Sequence, residues 1–474
     1  MLTYEMGNRG GAPKYLYLYQ CIRDDILRGK IPADQQLPSK RALADHLGVS
    51  VITVENAYRL LVVEGYVRSQ EKVGFFVERI EGRRRPPGHR PTTSLPLMEE
   101  EHAYFADFSS NKVQMSLFPA STVTKLTREM LAVRDERFFS TVPYNGTRTL
   151  RHAIADYLRR YRGMEVDPDQ VIVGCGTEYL YGRLMQLFEP GTVLGLEDPG
   201  NHKFADIAAR NGLASEFLPV DEKGVRLDAL SRSRASLVHL SPANSFPLGS
   251  VMPIGRRLEL LSWLYEDAGR YLVEDDFDSE VNSFGNTTTP IFQSDFGGRT
   301  VYLNSFSKTL VPSLRISYMV LPTELVARYR RTQTFFSCTV SGSDQYVLAR
   351  FLADGHFERH LSHLNAFFRR ERAQVLSEMS GLGLDRMGEV VVPEAGTHVI
   401  LRLGEGDVTR EQMRVNARSL DIRFAFVGDY AAHPWGRMGR DLIVNYASVP
   451  PERLHEGLSR LMLCLSRQSV GVLP

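Results

Sequence analysis

The chain has 474 residues, 43% of them hydrophobic, with 57 Lys and Arg against 56 Asp and Glu. This composition excludes intrinsic disorder for the bulk of the chain, because disordered segments combine low apolar content with high net charge. Four scattered cysteines, Cys21, Cys175, Cys338 and Cys464, are too few for a disulfide scaffold or a zinc cage. No apolar run reaches the roughly 18 residues that cross a bilayer, and residues 1–10 lack a signal-peptide pattern. We therefore expect a cytoplasmic protein with no metal site and no membrane partner.

The charge is unevenly distributed along the chain. Residues 1–90 contain 15 Lys and Arg but 10 Asp and Glu, and the remainder contains 42 basic and 46 acidic residues. A small basic front thus precedes a large, mildly acidic back. Basicity alone is weak support for nucleic-acid binding, because many solvated surfaces show the same excess.

The basic front has the pattern of a DNA-binding module. Apolar residues at every fourth position predict a helix over residues 14–27. Ser39 and Ser50 are suitable N-caps for two further short helices, with a glycine turn between them. This arrangement is typical of a helix-turn-helix, whose second helix enters the major groove. Two short strands, residues 66–69 and 74–77, predict a β-hairpin wing; a generic three-helix bundle is the alternative.

The chain is expected to contain two domains joined by a tether. Residues 12–78 are the predicted winged helix-turn-helix domain, residues 79–104 a linker and residues 105–474 a second domain. The linker is rich in Pro, Gly and Arg and has little apolar periodicity, which predicts a semi-extended, mobile segment. Its run Arg83–Arg85 is more often a solvated feature than a phosphate contact.

The second domain alternates strand and helix patterns. Helical stretches such as residues 254–268 separate most of its short apolar runs, which predicts an α/β fold with a mainly parallel sheet covered on both faces. A long helix over residues 357–379 leads into a smaller C-terminal α/β lobe that begins at about residue 359. Ligands of such folds bind at the carboxyl ends of the strands. The predicted strands are residues 171–173, 193–196, 236–240, 271–274, 300–303 and 318–321.

Polar residues at these strand ends form a chemically consistent set. Lys308 follows one strand among small hydroxyls and can form a Schiff base with an aldehyde. Asp275 ends another strand and can pair with a protonated pyridine nitrogen. The turn at Gly176 and Thr177 offers helix N-terminal amides to a phosphate, and Arg315 adds a guanidinium fork. These are together the requirements of pyridoxal 5′-phosphate.

Two groups of motifs in the chain resemble one known family. LPSKRALADHLGVS resembles the winged helix of the GntR superfamily of bacterial regulators. EDPG at 197–200, SPANSFPLG at 241–249, VEDDFDSE at 273–280 and SFSKTLVPSLR at 305–315 resemble fold-type I aminotransferases. Their combination resembles the MocR/GabR group, in which a GntR-type winged helix is fused to an aminotransferase-like domain. The resemblance implies a homodimer that binds double-stranded operator DNA and pyridoxal 5′-phosphate.

The resemblance also implies individual roles in the cofactor site. It assigns Tyr144 to the phosphate of the partner subunit's cofactor. The residues that match the family's cofactor motif are Lys308, Asp275, Thr177, Ser305, Ser307 and Arg315, with Gly176 in the phosphate turn.

For the winged helix, the resemblance implies contacts from the start of the second helix and the front of the recognition helix. Val51 and Glu55 stand where relatives often have arginines, so base reading is assigned to Thr53 and Asn56. The basic residues are assigned to phosphates, which position the module without specifying sequence. The expected DNA-binding residues are Ser39, Lys40, Arg41, Thr53, Asn56 and Lys72.

Three positions depart from the family pattern. Phe277 replaces a tyrosine and has no hydroxyl for the cofactor's phenolic oxygen, a role that Asn244 can take instead. Asn201 stands where an aromatic ring often stacks on the cofactor. Ile443 falls where amino-acid-binding relatives hold the arginine that clamps a carboxylate. Phe277, Asn244 and Asn201 are kept as cofactor-binding residues, and no catalytic residue is assigned.

The predicted function is therefore a transcription regulator whose aminotransferase-like domain senses a ligand and is not an enzyme. The segments VSVITVENAY, VMPIGRRLELLSW and RISYMVLP resemble vitamin B6-biosynthesis regulators within the group. Pyridoxal 5′-phosphate itself is therefore the expected effector, controlling vitamin B6 synthesis or salvage genes. One alternative is a regulator that senses an amino acid or amine through an external aldimine, and another is an active aminotransferase.

Overall fold

The computed structural model describes residues 2–7, 10–80, 102–138, 140–281, 288–404, 408–432 and 439–466. The chain divides into two compact units, Met1–Glu100 and Glu101–Pro474. Within the described ranges no helix is both long and apolar enough to cross a membrane. Most of the predicted linker, including Arg83–Arg85, lies outside the described residues.

The first unit is a winged helix. Its helices pack on one another through apolar side chains that recur at helical spacing, including Leu18, Ile22, Val54 and Tyr58, all fully buried. The two strands pair antiparallel, with Val67 opposite Val77. The elements are α1 (Lys14–Leu27), α2 (Lys40–Leu47), α3 (Val51–Val63), β1 (Val67–Gln70) and β2 (Gly74–Val77).

Local sequence explains where these helices begin and end. The Ser39 hydroxyl accepts a hydrogen bond from the backbone at the start of α2, and the Ser50 hydroxyl does the same for α3. Gly48 ends α2 in the left-handed conformation, with φ of +63°, which glycine adopts without steric cost. The predicted helix-turn-helix therefore forms through the capping residues that the sequence identified.

The second unit is built around a large sheet with the predicted α/β character. Its helices are α4 (Ala120–Val133), α5 (Arg148–Tyr157), α6 (Thr177–Met185), α7 (Lys203–Arg210), α8 (Leu227–Arg232), α9 (Ile254–Tyr265), α10 (Ile291–Ser294), α11 (Thr323–Gln333) and α12 (Gly342–Ala353). Its strands are β4 (Val171–Gly174), β5 (Val193–Asp198), β6 (Ala214–Asp221), β7 (Gly224–Val225), β8 (Leu237–Leu240), β9 (Tyr271–Asp275), β10 (Thr300–Ser305) and β11 (Ser317–Val320).

The strand order in this sheet is β4-β11-β10-β9-β8-β5-β6-β7. The run from β10 through β9, β8 and β5 to β6 is parallel, whereas β11 and β7 are antiparallel to their neighbours. Of these parallel strands, β5, β8, β9 and β10 are buried on both faces, as their largely apolar sequences require. The mainly parallel sheet is thus confirmed, and the carboxyl ends of β5, β8, β9 and β10 lie at one edge.

A second, smaller sheet forms the C-terminal lobe, with strand order β12-β13-β16-β15. The long helix α13 crosses between the lobes. The elements are β12 (Gly388–Val391), β13 (His398–Leu403), β14 (Ile422–Arg423), β15 (Ala425–Phe426), β16 (Leu442–Asn445), α13 (His356–Gly381), α14 (Arg410–Ser419) and α15 (Pro451–Ser466).

The smaller lobe also contains residues from the start of the unit. Strand β3 (Ala106–Asp107) pairs in parallel with β14, and Phe108 is fully buried in the same core. Gly457 on α15 permits this close approach, because a Cβ there would lie 2.9 Å from the Cβ of Ala106. The sequence analysis missed this pairing, since a two-residue strand more than 300 positions from its partner leaves no periodic signal.

Candidate functional site

A cavity of about 410 Å³ opens at the carboxyl ends of β5, β8, β9 and β10. This is the edge at which the sequence placed a ligand. The predicted cofactor residues that line the cavity are Gly176, Thr177, Asn201, Asp275, Phe277, Ser305, Ser307, Lys308 and Arg315.

One end of the cavity is formed by the start of α6 and by Arg315. Gly176 precedes the helix with φ of +92°, and a Cβ at this position would lie 2.3 Å from a terminal nitrogen of Arg315. Arg315 itself has φ of +51° and its guanidinium contacts the Glu178 carboxylate at 3.1 Å. Ser307 supplies a buried hydroxyl without a hydrogen-bond partner among the described residues. Helix amides, a guanidinium and a free hydroxyl are groups that can together hold a phosphate.

Glu178 holds the basic side chains at this end of the cavity. Its carboxylate accepts hydrogen bonds from Lys203 at 2.9 Å and from Arg315 at 3.1 Å. Partial burial opposes ionisation of Glu178, but Lys203 and Arg315 overcome it and lower the pKa of Glu178 to about 2. The carboxylate is therefore charged near neutral pH and fixes the guanidinium that faces the cavity.

The floor of the cavity carries a buried carboxylate and an imidazole. Nε2 of His239 on β8 lies 3.5 Å from Oδ2 of Asp275 on β9. Both side chains are buried, and Oδ1 of Asp275 has no hydrogen-bond partner within the described chain. The centroid of the His239 ring lies 4.3 Å from that of Phe204 and 5.3 Å from that of Tyr181, and this packing fixes the orientation of the imidazole. A buried carboxylate held in this way suits a protonated ring nitrogen.

Lys308 lies beyond the end of β10 and is buried. Its Nζ donates to the carbonyl of Asn111 at 2.7 Å and to Oγ1 of Thr397 at 3.1 Å. Burial lowers the pKa of Lys308 to about 8, whereas the nearby Asp278 raises it. An amine with this pKa is partly neutral near physiological pH and can act as a nucleophile.

The sequence did not identify several of the residues that hold these groups. His239 lies within an apolar strand, so its pattern is that of a core residue. Asn111 and Thr397 are far from Lys308 along the chain and give no local signal. Asp278 was part of the quoted acidic motif, and its position in that motif was the one available indication.

Two predicted cofactor residues do not line the cavity. Asn244 is buried and donates its amide to both carboxylate oxygens of Asp278, each at 2.9 Å. This pairing supports Lys308 through Asp278 and occupies the amide nitrogen of Asn244, whereas its Oδ1 has no hydrogen-bond partner among the described residues. Tyr144 lies outside the cavity of its own chain, where its ring stacks on Tyr329 with centroids 6.0 Å apart.

Two of the three positions that depart from the family pattern, Phe277 and Asn201, line the cavity. Phe277 lies just beyond Asp275 and presents a ring without a hydroxyl, and Asn201 is an exposed amide at the rim. Neither residue supplies the hydroxyl or the stacking ring that the family pattern has at these positions.

Ile443 belongs to an apolar cluster beside the cavity. It is 1% exposed on β16 and packs with Ile400, Ala425 and Val427, against which Phe246 and Tyr430 also pack. Phe246 and Tyr430 line the cavity, with ring centroids 4.8 Å apart. The wall at this place is therefore apolar. Among the described lining residues, Arg315 is the one arginine.

The predicted DNA-binding residues at the start of α2 lie at the surface of the winged helix. Ser39 is exposed and its hydroxyl caps α2 through Ala42 N at 3.2 Å. Lys40 Nζ pairs with the Glu55 carboxylate of α3 at 2.7 Å, which lowers the pKa of Glu55. Arg41 is exposed, as is Lys72 in the turn between β1 and β2, where its φ is +59°.

The two residues assigned to base reading lie on α3. Thr53 donates its backbone N–H to the Ser50 hydroxyl at 3.2 Å, and the two side-chain hydroxyls are 2.8 Å apart. Asn56 accepts a hydrogen bond from Arg59 at 2.9 Å, which leaves its amide N–H₂ group to donate. Thr53 is therefore partly occupied by capping, whereas Asn56 and Arg59 form a polar pair on the helix surface.

Fold and site together define a class of protein: a winged helix joined to an aminotransferase-like domain. The families that the sequence matches are the same two: one for the winged helix and one for the aminotransferase-like domain. Residues 14–77 match the bacterial regulatory proteins of the gntR family, and residues 106–423 match the aminotransferase class I and II family.

Relatives that match most of the chain are regulators by name. The chain is 34% identical to the uncharacterized HTH-type transcriptional regulator YhdI of Bacillus subtilis, over 85% of this chain and 86% of the relative. It is 30% identical to the probable rhizopine catabolism regulatory protein MocR of Rhizobium meliloti, over 98% and 96% of the two chains. It is 28% identical to the HTH-type pyridoxine biosynthesis transcriptional regulator PdxR of Corynebacterium glutamicum, over 90% and 89%.

The fold of the second unit is also that of solved aminotransferases. LysN, the alpha-aminoadipate aminotransferase of Thermus thermophilus, superposes with a TM-score of 0.67 at 23% identity, over 76% of this chain and 91% of that one. The chain belongs to the MocR/GabR family of GntR-type transcription regulators. Pyridoxal 5′-phosphate is the cofactor that this family and this domain indicate.

Proposed function

We propose that pyridoxal 5′-phosphate is both the cofactor and the signal of this regulator, and that the regulated genes serve vitamin B6 synthesis or salvage. The main support for this proposal is the apolar wall at Ile443, Phe246 and Tyr430. A bidentate arginine is what orients an amino-acid carboxylate, and the described wall offers none at this place. The cofactor's phosphate, ring nitrogen and aldehyde, in contrast, have matching groups among the lining residues: Thr177, Ser307 and Arg315, then Asp275, then Lys308.

The residues that would hold the cofactor follow from the chemistry of the cavity. The amides at Gly176 and Thr177, the Ser307 hydroxyl and Arg315 would hold the phosphate. Asp275 would pair with the ring nitrogen, supported by His239. When bound, pyridoxal 5′-phosphate supplies an aldehyde for covalent attachment and an electron-withdrawing ring.

Lys308 and its neighbours would keep the bound group in place. The Asn111 carbonyl and Thr397 hydroxyl orient Nζ, and Asp278 provides the opposing charge. Asn111 belongs to the segment that follows β3, which is anchored in the smaller lobe. Covalent attachment of the cofactor to Lys308 would release Nζ from this segment. Because the segment is anchored in the smaller lobe, this release would shift the population between different arrangements of the two lobes.

The second unit is expected to form a homodimer. Tyr144 is absent from the lining of its own chain's cavity, which supports the assignment of its hydroxyl to the partner subunit's cofactor. The relative named as a pyridoxine biosynthesis regulator supports the choice of target genes, whereas the relative named for rhizopine catabolism represents the amino-acid or amine alternative.

The test measures the affinity of the full chain for a duplex that it has itself selected from a random double-stranded DNA library. The affinity is compared between cofactor-free protein, protein with pyridoxal 5′-phosphate and protein with cofactor plus amines or amino acids. We expect the cofactor alone to change the affinity at least tenfold, about 1.4 kcal/mol of coupling. The Lys308→Ala variant should lose this response. It should also fail to retain the cofactor covalently after borohydride reduction, which makes an imine linkage to lysine permanent.

Three results distinguish the proposal from its alternatives. A response that needs an added amine or amino acid favours the amine-sensing regulator. Steady production of oxo acids from amino acids at ordinary enzyme rates favours an aminotransferase. Bound sites that, mapped across the source genome, avoid vitamin B6 genes overturn the proposed target.

A further inference from the structure

The recognition helix α3 carries an unusual outward face. Its inward face consists of Val54, Ala57, Tyr58 and Leu61, all fully buried. At 100° per residue, Ile52, Asn56, Arg59 and Val63 lie on the opposite side. Two polar residues at the centre of this face are thus flanked by two exposed β-branched apolar residues.

Ile52, at the N-terminal end of this face, is the more exposed of the two apolar residues in the first helical turn. Ile52 is 67% exposed and the preceding Val51 is 39% exposed. Neither residue is needed for helix formation, since β-branched residues have only moderate helix propensity and the cap is supplied by Ser50. Exposure of an isolated apolar side chain is ordinary, so what distinguishes Ile52 is its position in the first turn of the recognition helix.

One of the two cations that flank Ile52 is paired within the unit. Lys40 forms an ion pair with Glu55, whereas Arg59 keeps its charge and donates to the neutral amide oxygen of Asn56. The front of the helix therefore presents an apolar surface beside a neutralised ion pair, and the exposed Arg59 cation lies about two turns further along the helix. Arg41 and Lys72, both exposed, supply cationic groups elsewhere on the unit.

We propose that Ile52 contacts the 5-methyl group of a thymine in the operator. The N-terminal residues of a recognition helix are the ones that reach base edges in the major groove. The thymine methyl is the apolar group that the four bases display there, and it is read by apolar side chains. This inference rests on the proposed DNA-binding function and adds a specificity-determining residue to it.

Val63 is a matched control within the same helix. It is also β-branched and apolar, lies on the same face and is 76% exposed. It follows Ile52 by 11 positions, which places it about 16 Å further along the helix axis. The thymine contact therefore belongs to Ile52 and not to Val63.

The experiment uses the full chain with pyridoxal 5′-phosphate and the duplex that it selects from a random library. Each thymine of that duplex is replaced in turn by deoxyuridine, which lacks only the 5-methyl group, and the dissociation constant is measured for each duplex. We expect one uracil in each half-site to weaken binding about fourfold, as the loss of one buried methyl predicts. Ile52→Ala removes the contact from both half-sites, so it should bind the thymine duplex about sixteenfold more weakly and show no further loss with uracil.

Val63→Ala should retain both the full affinity and the uracil sensitivity. The melting temperatures of both variants should match that of the wild-type chain, because both side chains are exposed. The inference is overturned if no uracil weakens wild-type binding, or if Ile52→Ala keeps the wild-type sensitivity at every position. A chain that selects no duplex overturns the proposed function and this inference together, whereas selection without uracil sensitivity overturns only the inference.

Discussion

Replacement of Gly176 by alanine tests the phosphate end of the cavity most directly. The new Cβ would lie 2.3 Å from a terminal nitrogen of Arg315 and 2.8 Å from its central carbon, whereas ordinary contacts begin near 3.4 Å. The guanidinium must therefore move by about 1 Å, which is enough to break a directional fork of hydrogen bonds. The variant should consequently lose the Arg315 contribution to cofactor binding without losing Arg315 itself. It should also strain the turn, because φ at Gly176 is +92°, which residues other than glycine rarely adopt.

The size of the loss follows from the exposure of Arg315. A hydrogen bond to a charged group contributes roughly 1.5–3 kcal/mol when shielded from water. Because the Arg315 side chain is 49% exposed, solvent screening places the effect at the lower end. We therefore expect the dissociation constant for pyridoxal 5′-phosphate to rise about tenfold in Gly176→Ala.

The assay is an absorbance titration of cofactor-free protein with pyridoxal 5′-phosphate. Gly182→Ala is the matched control on the same helix α6, because a Cβ there meets its nearest neighbours at 3.8 and 3.9 Å. The double variant Gly176→Ala with Arg315→Ala should lose less affinity than the two single losses combined, since both changes remove the Arg315 interaction. Unchanged affinity in Gly176→Ala, or full additivity in the double variant, would refute this account of the phosphate end.

Two further predictions concern the buried lysine and the wing. Asp278→Asn removes a charge that raises the pKa of Lys308, so the pH midpoint for covalent attachment of the cofactor should move below about 8. The control Asp206→Asn, on the exposed face of α7, should leave this midpoint unchanged. An unchanged or raised midpoint in Asp278→Asn would contradict the assignment of Asp278 as the charge that acts on Lys308. Lys72→Gln should weaken DNA binding about equally for all duplexes and reduce the salt dependence by about one ion per subunit. Lys30 is paired with Asp25 at 3.2 Å, so Lys30→Gln should have neither effect. A sequence-selective loss in Lys72→Gln would contradict a phosphate contact.

The sequence determined the elements whose signals are local. Helix α1 begins and ends where the apolar period predicted, and the caps Ser39 and Ser50 start the two helices of the helix-turn-helix. The principal strands of the large sheet lie within a few residues of their predicted bounds. Lys308 and Asp275 could be assigned because they follow strands in sequence, and the ends of parallel strands meet at one edge.

Only the tertiary structure decided what surrounds these groups. Asn111 lies 197 positions from Lys308, and His239 reaches Asp275 from a neighbouring strand, so no window of sequence contains either contact. The same holds for the pairing of Asn244 with Asp278, which removes Asn244 from the cavity lining. Local patterns fix which residues form a helix or strand, because those forces act within a few positions. The partners of a buried charge are set by chain segments that meet only when the sheet is assembled.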